Sequence, residues 1–217
     1  ALLLYSGNTL ALGISYNTTP IDARMDLSPA EVNATTLRDA MEELCLEINT
    51  INDKIDYCDG QSHSGYDLWE LSEKICESYS DFSDDYSYPV SFVSHVKGVD
   101  ALHFMSYLGL TGIYTYYTGE SNVNTDYPDY TVAFTSAHEL AHQRGILREN
   151  EANFMAYLVC SRSDDLYLRY SAALNLLGYV GNALYRTDRN AYYEVLSTLD
   201  ARALEDMRAA SRVRAEY

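Results

Sequence analysis

Residues 134–158, FTSAHELAHQRGILRENEANFMAYL, hold the side chains best suited to chemistry. His138 and His142 are four apart, a spacing that on a helix stacks two imidazoles one turn apart on one face, within reach of a single ion. Zinc accepts imidazole nitrogen at roughly 2.0–2.1 Å and keeps an open position when catalytic. Glu139, next to the first histidine, is expected beside such an ion without binding it. That is where a general base takes a proton from water that the metal has made acidic.

Two histidines leave a catalytic zinc short of a protein ligand. Gly145 is suited to a left-handed helix end, after which RENEANFMAYL starts a second helix carrying two candidates, Glu149 and Glu151. At 3.6 residues per turn their directions differ by about 200°, so one of them faces the metal. Glu149 is preferred, because Asn153 lies one turn on along the same face and its amide can hold a ligand imidazole from behind. Glu151 shares a face with the apolar Met155 and Leu158 and would need a partner there.

The elements that must position this group follow from pattern. SPAE at 28–31 reads as a helix start, with Ser28 as cap, Pro29 first in the helix and Glu31 closing a capping box. Leu37, Met41, Leu44, Ile48, Ile51 and Ile55 then mark one buried stripe. A polar loop, DYCDGQSHSG, leads to a second helix through Leu68, Ile75, Tyr79 and Phe82. PVSFVSHV (89–96) and GIYTYYTG (112–119) carry the β-branched and aromatic residues of strands. ESNVNTDYPDY reads as a loop. From about Thr131 the pattern is helical, with breaks near Gly145, 163–165 and 186–190. No repeat or linker divides the 217 residues, so a single α+β domain is expected, predominantly helical with a small central sheet.

Composition narrows the partners. With 47% hydrophobic and 22% charged residues the chain is an ordinary packed globule. A formal charge of −17 repels phosphate backbones and anionic lipid, which argues against nucleic acid and hints at basic or neutral substrates. No apolar run reaches the roughly 18 residues of a spanning helix. Without a C-x-x-C pair, the cysteines do not suggest a zinc knuckle. Cys58 and Cys76 flank the polar loop and are candidates for a disulfide outside the cytosol; Cys45 and Cys160 read as buried. His63, His95 and His103 lack ligand spacing. Tyr170, whose phenol is able to stabilise an oxyanion, more simply reads as one of 21 tyrosines used in packing.

With His138, Glu139, His142 and ENEANF in place, the chain resembles the gluzincin type of zinc metallopeptidase, which joins an HExxH helix to a glutamate on a following helix. Glu149 to Asn153 looks like the second signature of that group with Asn in place of Asp, keeping an acceptor but losing a charge. More closely, LALGISYNTTPIDARMDL, GIYTYYTGESNVN, the 134–158 segment and RYSAALNLL resemble an uncharacterised bacterial family of membrane-anchored, metallopeptidase-like proteins, a domain of unknown function. The resemblance implies a zincin-like fold and Zn²⁺ on His138, His142 and Glu149, with Glu139 as base and a peptide or protein substrate. It further implies an extracytoplasmic location, with residues 1–27 an extended juxtamembrane segment and an anchor upstream. A strand beside the active helix would pair with extended substrate, which points to Asn122 and Asn124 as substrate-binding residues. The competing reading is a zinc-stabilised extracytoplasmic binding or sensing domain without turnover, distinguished by four protein ligands instead of three plus water.

Overall fold

A computed structural model describes residues 17–28, 30–99 and 103–217. The protein is α+β and mostly helical. In chain order come α1 (Ile21–Arg24), α2 (Ala34–Asn52), β1 (Asp56–Cys58), β2 (Gln61–His63) and α3 (Leu68–Tyr86), then β3 (Lys97–Val99), α4 (Phe104–Tyr107), β4 (Gly112–Thr115) and β5 (Glu120–Asn124). The rest is helical: α5 (Asp129–Gln143), α6 (Glu149–Ser161), α7 (Leu166–Thr187), α8 (Arg189–Leu196) and α9 (Ala201–Glu216). Among the described residues no helix is long and apolar enough to cross a membrane. Most of the expected juxtamembrane segment, residues 1–16, lies outside the described residues; within the remainder Ile21–Arg24 is a helical turn rather than extended chain.

The stripe on α2 is buried at Met41, Leu44, Ile48 and Ile51, each such side chain contributing roughly 1.5–3 kcal/mol, and the helix packs chiefly on α7. Its start differs from the sequence reading. The proposed first helical residue, Pro29, lies outside the described residues, and residues 30–33 are not helical. Asn33 is the cap instead: its Oδ1 accepts from the Thr36 amide at 3.0 Å while its own amide donates to Thr36 Oγ1 at 3.0 Å. This reciprocal box satisfies two amides that a start at Ser28 would leave to residues further up the chain.

Two strand expectations are also corrected. Residues 89–96 are not a strand, because side chains of the neighbouring helices partner their backbone. Ser83 Oγ donates to Pro89 O, Arg144 Nη2 to Phe92 O and Cys76 Sγ to Ser94 O, while Ser72 Oγ accepts from the Val96 amide. The segment read as a loop, ESNVN, is β5, the middle of a three-stranded sheet, parallel to β3 and antiparallel to β4. The polar loop at 56–65 holds a hairpin turned by Asp59 and Gly60 at φ 51 and 80, the signs a two-residue type I′ turn requires. No disulfide joins Cys58 to Cys76; all four cysteines are free, Cys58 on an exposed strand and Cys76 buried against Arg144. Asp206 on α9 ties the β1–β2 hairpin to the core, accepting from the Ser62 amide at 2.9 Å and from Tyr170 Oη at 2.7 Å.

At the centre lies α5, whose residues Tyr130 to His142 are all buried. It packs against α6, α7, β4 and β5, which explains the weak one-sided apolar pattern of its sequence: a helix covered on every side needs no polar face.

Candidate metal centre

The His138–His142 helix ends in a Schellman motif. Gly145 has φ +88, its amide donates to His142 O at 3.0 Å, and the Ile146 amide donates to Ala141 O at 3.1 Å. These are the two bonds that close such a cap, and the left-handed residue is one that glycine adopts without strain. The turn carries the chain back so that α6 begins at Glu149, beside the histidines.

Both imidazoles are oriented from behind. His142 Nδ1–H donates to Ile146 O at 2.7 Å, and His138 Nδ1–H donates to Asn153 Oδ1 at 2.9 Å. With Nδ1 protonated in each neutral ring, both Nε2 lone pairs are left for an ion. His138 Nε2 lies 3.1 Å from Glu149 Oε2, and His142 Nε2 lies 3.4 Å from Glu149 Oε1. One ligand atom from each of the three residues falls within 4.8 Å of the others, as a shared ion requires. Burial, then the neighbouring His138, holds His142 below the ordinary imidazole range. The two facing imidazoles, His138 foremost, hold Glu149 below the ordinary carboxylate range. A neutral imidazole and an ionised carboxylate are the forms that bind zinc.

Glu151 is turned away from this group, its Oε1 2.7 Å from Arg148 Nη1. That guanidinium is the partner the sequence left unidentified.

Glu139 is 4% exposed, and its Oε2 is buried without a hydrogen-bond partner. Burial is the main reason its carboxyl is pushed up to about 7, with the neighbouring His138 pulling down and Glu149 pushing up. A group poised there is suited to accept a proton at neutral pH and return it. The residue that seats it is Gly112, which the sequence reading passed over. A Cβ at Gly112 would lie 2.4 Å from Glu139 Oε1 and 2.5 Å from Thr135 Cγ2, so strand and carboxylate meet only because that side chain is absent. The available signal was a glycine opening a β-branched run, which marks close backbone approach.

The sheet is held against α5 by Ser121 Oγ, which donates to Glu139 O at 2.9 Å, and by Gln143 Nε2, which donates to Gly119 O at 2.6 Å. The Asn124 amide donates to Thr111 O at 2.8 Å. By antiparallel alternation the polar backbone groups of Gly112 and Tyr114 therefore face away from β5, along the edge of β4 that lines a cavity of about 580 Å³ together with Glu139 and the histidines. Asn122 and Asn124 are not brought to this cavity. Asn124 is 1% exposed, its amide group donating to Ser106 Oγ and Leu110 O. Asn122 donates within its own hairpin, to Ile113 O and Glu120 O, on a strand already paired on both sides. The strand with a free edge on the cavity is β4, not β5. Tyr170 is fully buried on Asp206, away from the cavity lining, which is the packing role.

The whole chain, residues 1–217, matches the family described as Protein of unknown function (DUF3810). The chain belongs to that family. No match was found among curated proteins or among solved structures.

Proposed function

We propose that this DUF3810 protein is a zinc-dependent peptidase with a zincin-like arrangement, hydrolysing amide bonds in extended chains. The observation that carries this reading is the buried, unpartnered Glu139 Oε2 beside a three-donor His138–His142–Glu149 set that opens onto the cavity. The donor set fits zinc: two imidazole nitrogens with fixed tautomers, one carboxylate and a solvent-facing side. Bound there, zinc would supply Lewis acidity, polarising the scissile carbonyl and acidifying nearby water.

The chain's own residues account for the rest. Asn153 and the Ile146 carbonyl keep both imidazoles aimed with Nε2 forward. Gly112 and Tyr114 offer unpaired N–H and C=O groups along β4, so an extended substrate lies as an added antiparallel strand with its scissile bond over Glu139. Glu139 takes a proton from water as the new C–O bond forms, then delivers it to the amide nitrogen as the C–N bond breaks. A site serving only to tie helices together has no use for a costly buried carboxylate with an open oxygen.

The test is metal analysis paired with Glu139→Gln. Stoichiometric zinc is expected in both proteins, with cleavage of a mixed peptide library lowered about 10²–10⁴-fold in the variant. Cleavage at the parental rate by the variant would overturn the assigned base.

A further inference from the structure

The cavity extends well beyond the metal centre along α5. Tyr130, Phe134, His138 and His142 follow one another at single-turn intervals on the face that lines it. From His138 to Tyr130 the helix advances about 12 Å. At the Tyr130 end stands Arg214, in the last turn of α9, which together with Tyr130, Asn175 and Tyr179 also lines an adjoining cavity of about 480 Å³. Tyr130 and Arg214 therefore stand together where the two cavities adjoin.

Arg214 is set apart by its place in the cleft. The chain carries 32 acidic residues against 15 lysines and arginines, and much of its positive charge is already engaged. Arg38, Lys97, Arg169, Arg202 and Arg212 all reach carboxylates. Arg214 makes a long bond from Nε to Ala210 O at 3.5 Å and pairs with no carboxylate among the described residues. It is also the one permanent cation among the described residues lining the main cavity, whose acids, Glu139 and Glu149, both sit at the metal end. A guanidinium at the far end of a cleft, in a protein otherwise so acidic, offers a carboxylate a bidentate partner that the rest of the surface repels.

We propose that Arg214 is a substrate subsite that recognises a carboxylate on the peptide, several residues from the bond to be cut. The proposal rests on the peptidase reading for what happens at Glu139, but not for the binding itself. At about 3.3 Å per extended residue, the 12 Å along α5 correspond to three or four residues. The carboxylate is either the free C-terminus of a short peptide or an acidic side chain within a longer one; the chemistry at Arg214 is the same. This reverses the expectation of basic or neutral substrates drawn from net charge, because the local field in the cleft, not the sum over the surface, meets the ligand.

The test uses zinc-loaded Glu139→Gln protein, in which bound peptide persists. N-acetylated alanine peptides carry one Glu, Gln or Lys at successive positions, each made both as the free acid and as the C-terminal amide, and affinities are read by calorimetry. A preference of roughly tenfold or more for carboxylate over its amide counterpart is expected at one position. It should vanish in Arg214→Gln and turn toward Lys in Arg214→Glu. Preference confined to the free acid identifies a terminal anchor, and preference at an internal Glu identifies a side-chain pocket; both support the subsite. Equal affinities, a preference that survives Arg214→Gln, or binding of none of the acids overturns it. Failure of the peptidase reading has a different signature, in that wild-type protein would bind the acids selectively yet cleave none.

Discussion

Adding one methyl group at Gly112 tests whether the edge of β4 and the carboxylate of Glu139 share a space that only glycine leaves open. In Gly112→Ala the new Cβ would sit 2.4 Å from Glu139 Oε1, 2.5 Å from Thr135 Cγ2 and 2.8 Å from Glu139 Cγ. Overpacking of this kind costs about 1–3 kcal/mol. The Ala side chain returns about 0.4–1 kcal/mol by restricting the unfolded chain, leaving a net loss of about 1–2 kcal/mol. Two of the three obstructing atoms belong to Glu139. In a Glu139→Ala background they are gone, so the same methyl should cost at least about 1 kcal/mol less than in the parent. Urea unfolding of the parent, both single variants and the double variant, all in chelator, measures that coupling without any substrate. Costs that add to within about 0.3–0.5 kcal/mol would refute the shared-space argument. Peptide cleavage by Gly112→Ala should fall as well, since Glu139 must move to admit the methyl.

Asn153→Ala is expected to weaken zinc binding about 10–100-fold by freeing the His138 ring, with Asn153→Asp restoring it; chelator competition measures both, and an unchanged affinity in the Ala variant counts against the orienting role. Gly145→Ala should cost about 1–2 kcal/mol from its left-handed backbone alone, because open space surrounds the position at φ +88, and Gly145→Asn should cost less; denaturant midpoints decide. Burial holds the Asp206 carboxyl above its ordinary range, so the folded protein binds that proton more tightly than the unfolded chain. Its stabilising contribution is complete below about pH 4 and is lost as pH rises through the raised folded value. Asp206→Asn should flatten that decline, and parallel stability–pH curves for variant and parent would contradict it.

The parts of the centre that the sequence made legible are those ruled by helical spacing. His138 and His142 share a face because they are four apart, and Glu149 rather than Glu151 reaches them because the two point in nearly opposite directions. What escaped was set by distant partners. ESNVN lacks the apolar alternation of a strand because Ser121 and Asn124 turn inward to bond Glu139 O and the 106–110 segment. PVSFVSHV has strand propensity, yet its carbonyls are taken by Ser83, Arg144 and Cys76. The Asp59–Gly60 turn was readable from the dipeptide itself. Arg214 lies 76 residues beyond His138, and no local pattern ties it to the cleft.

The two imidazoles are oriented by acceptors of different kinds. His142 leans on a main-chain carbonyl, Ile146 O, which no side-chain replacement at 146 deletes. His138 leans on a side-chain amide supplied by the neighbouring helix. In the proposed zinc site, substitution at position 153 would therefore adjust the electron richness of one ligand while the other stays constant.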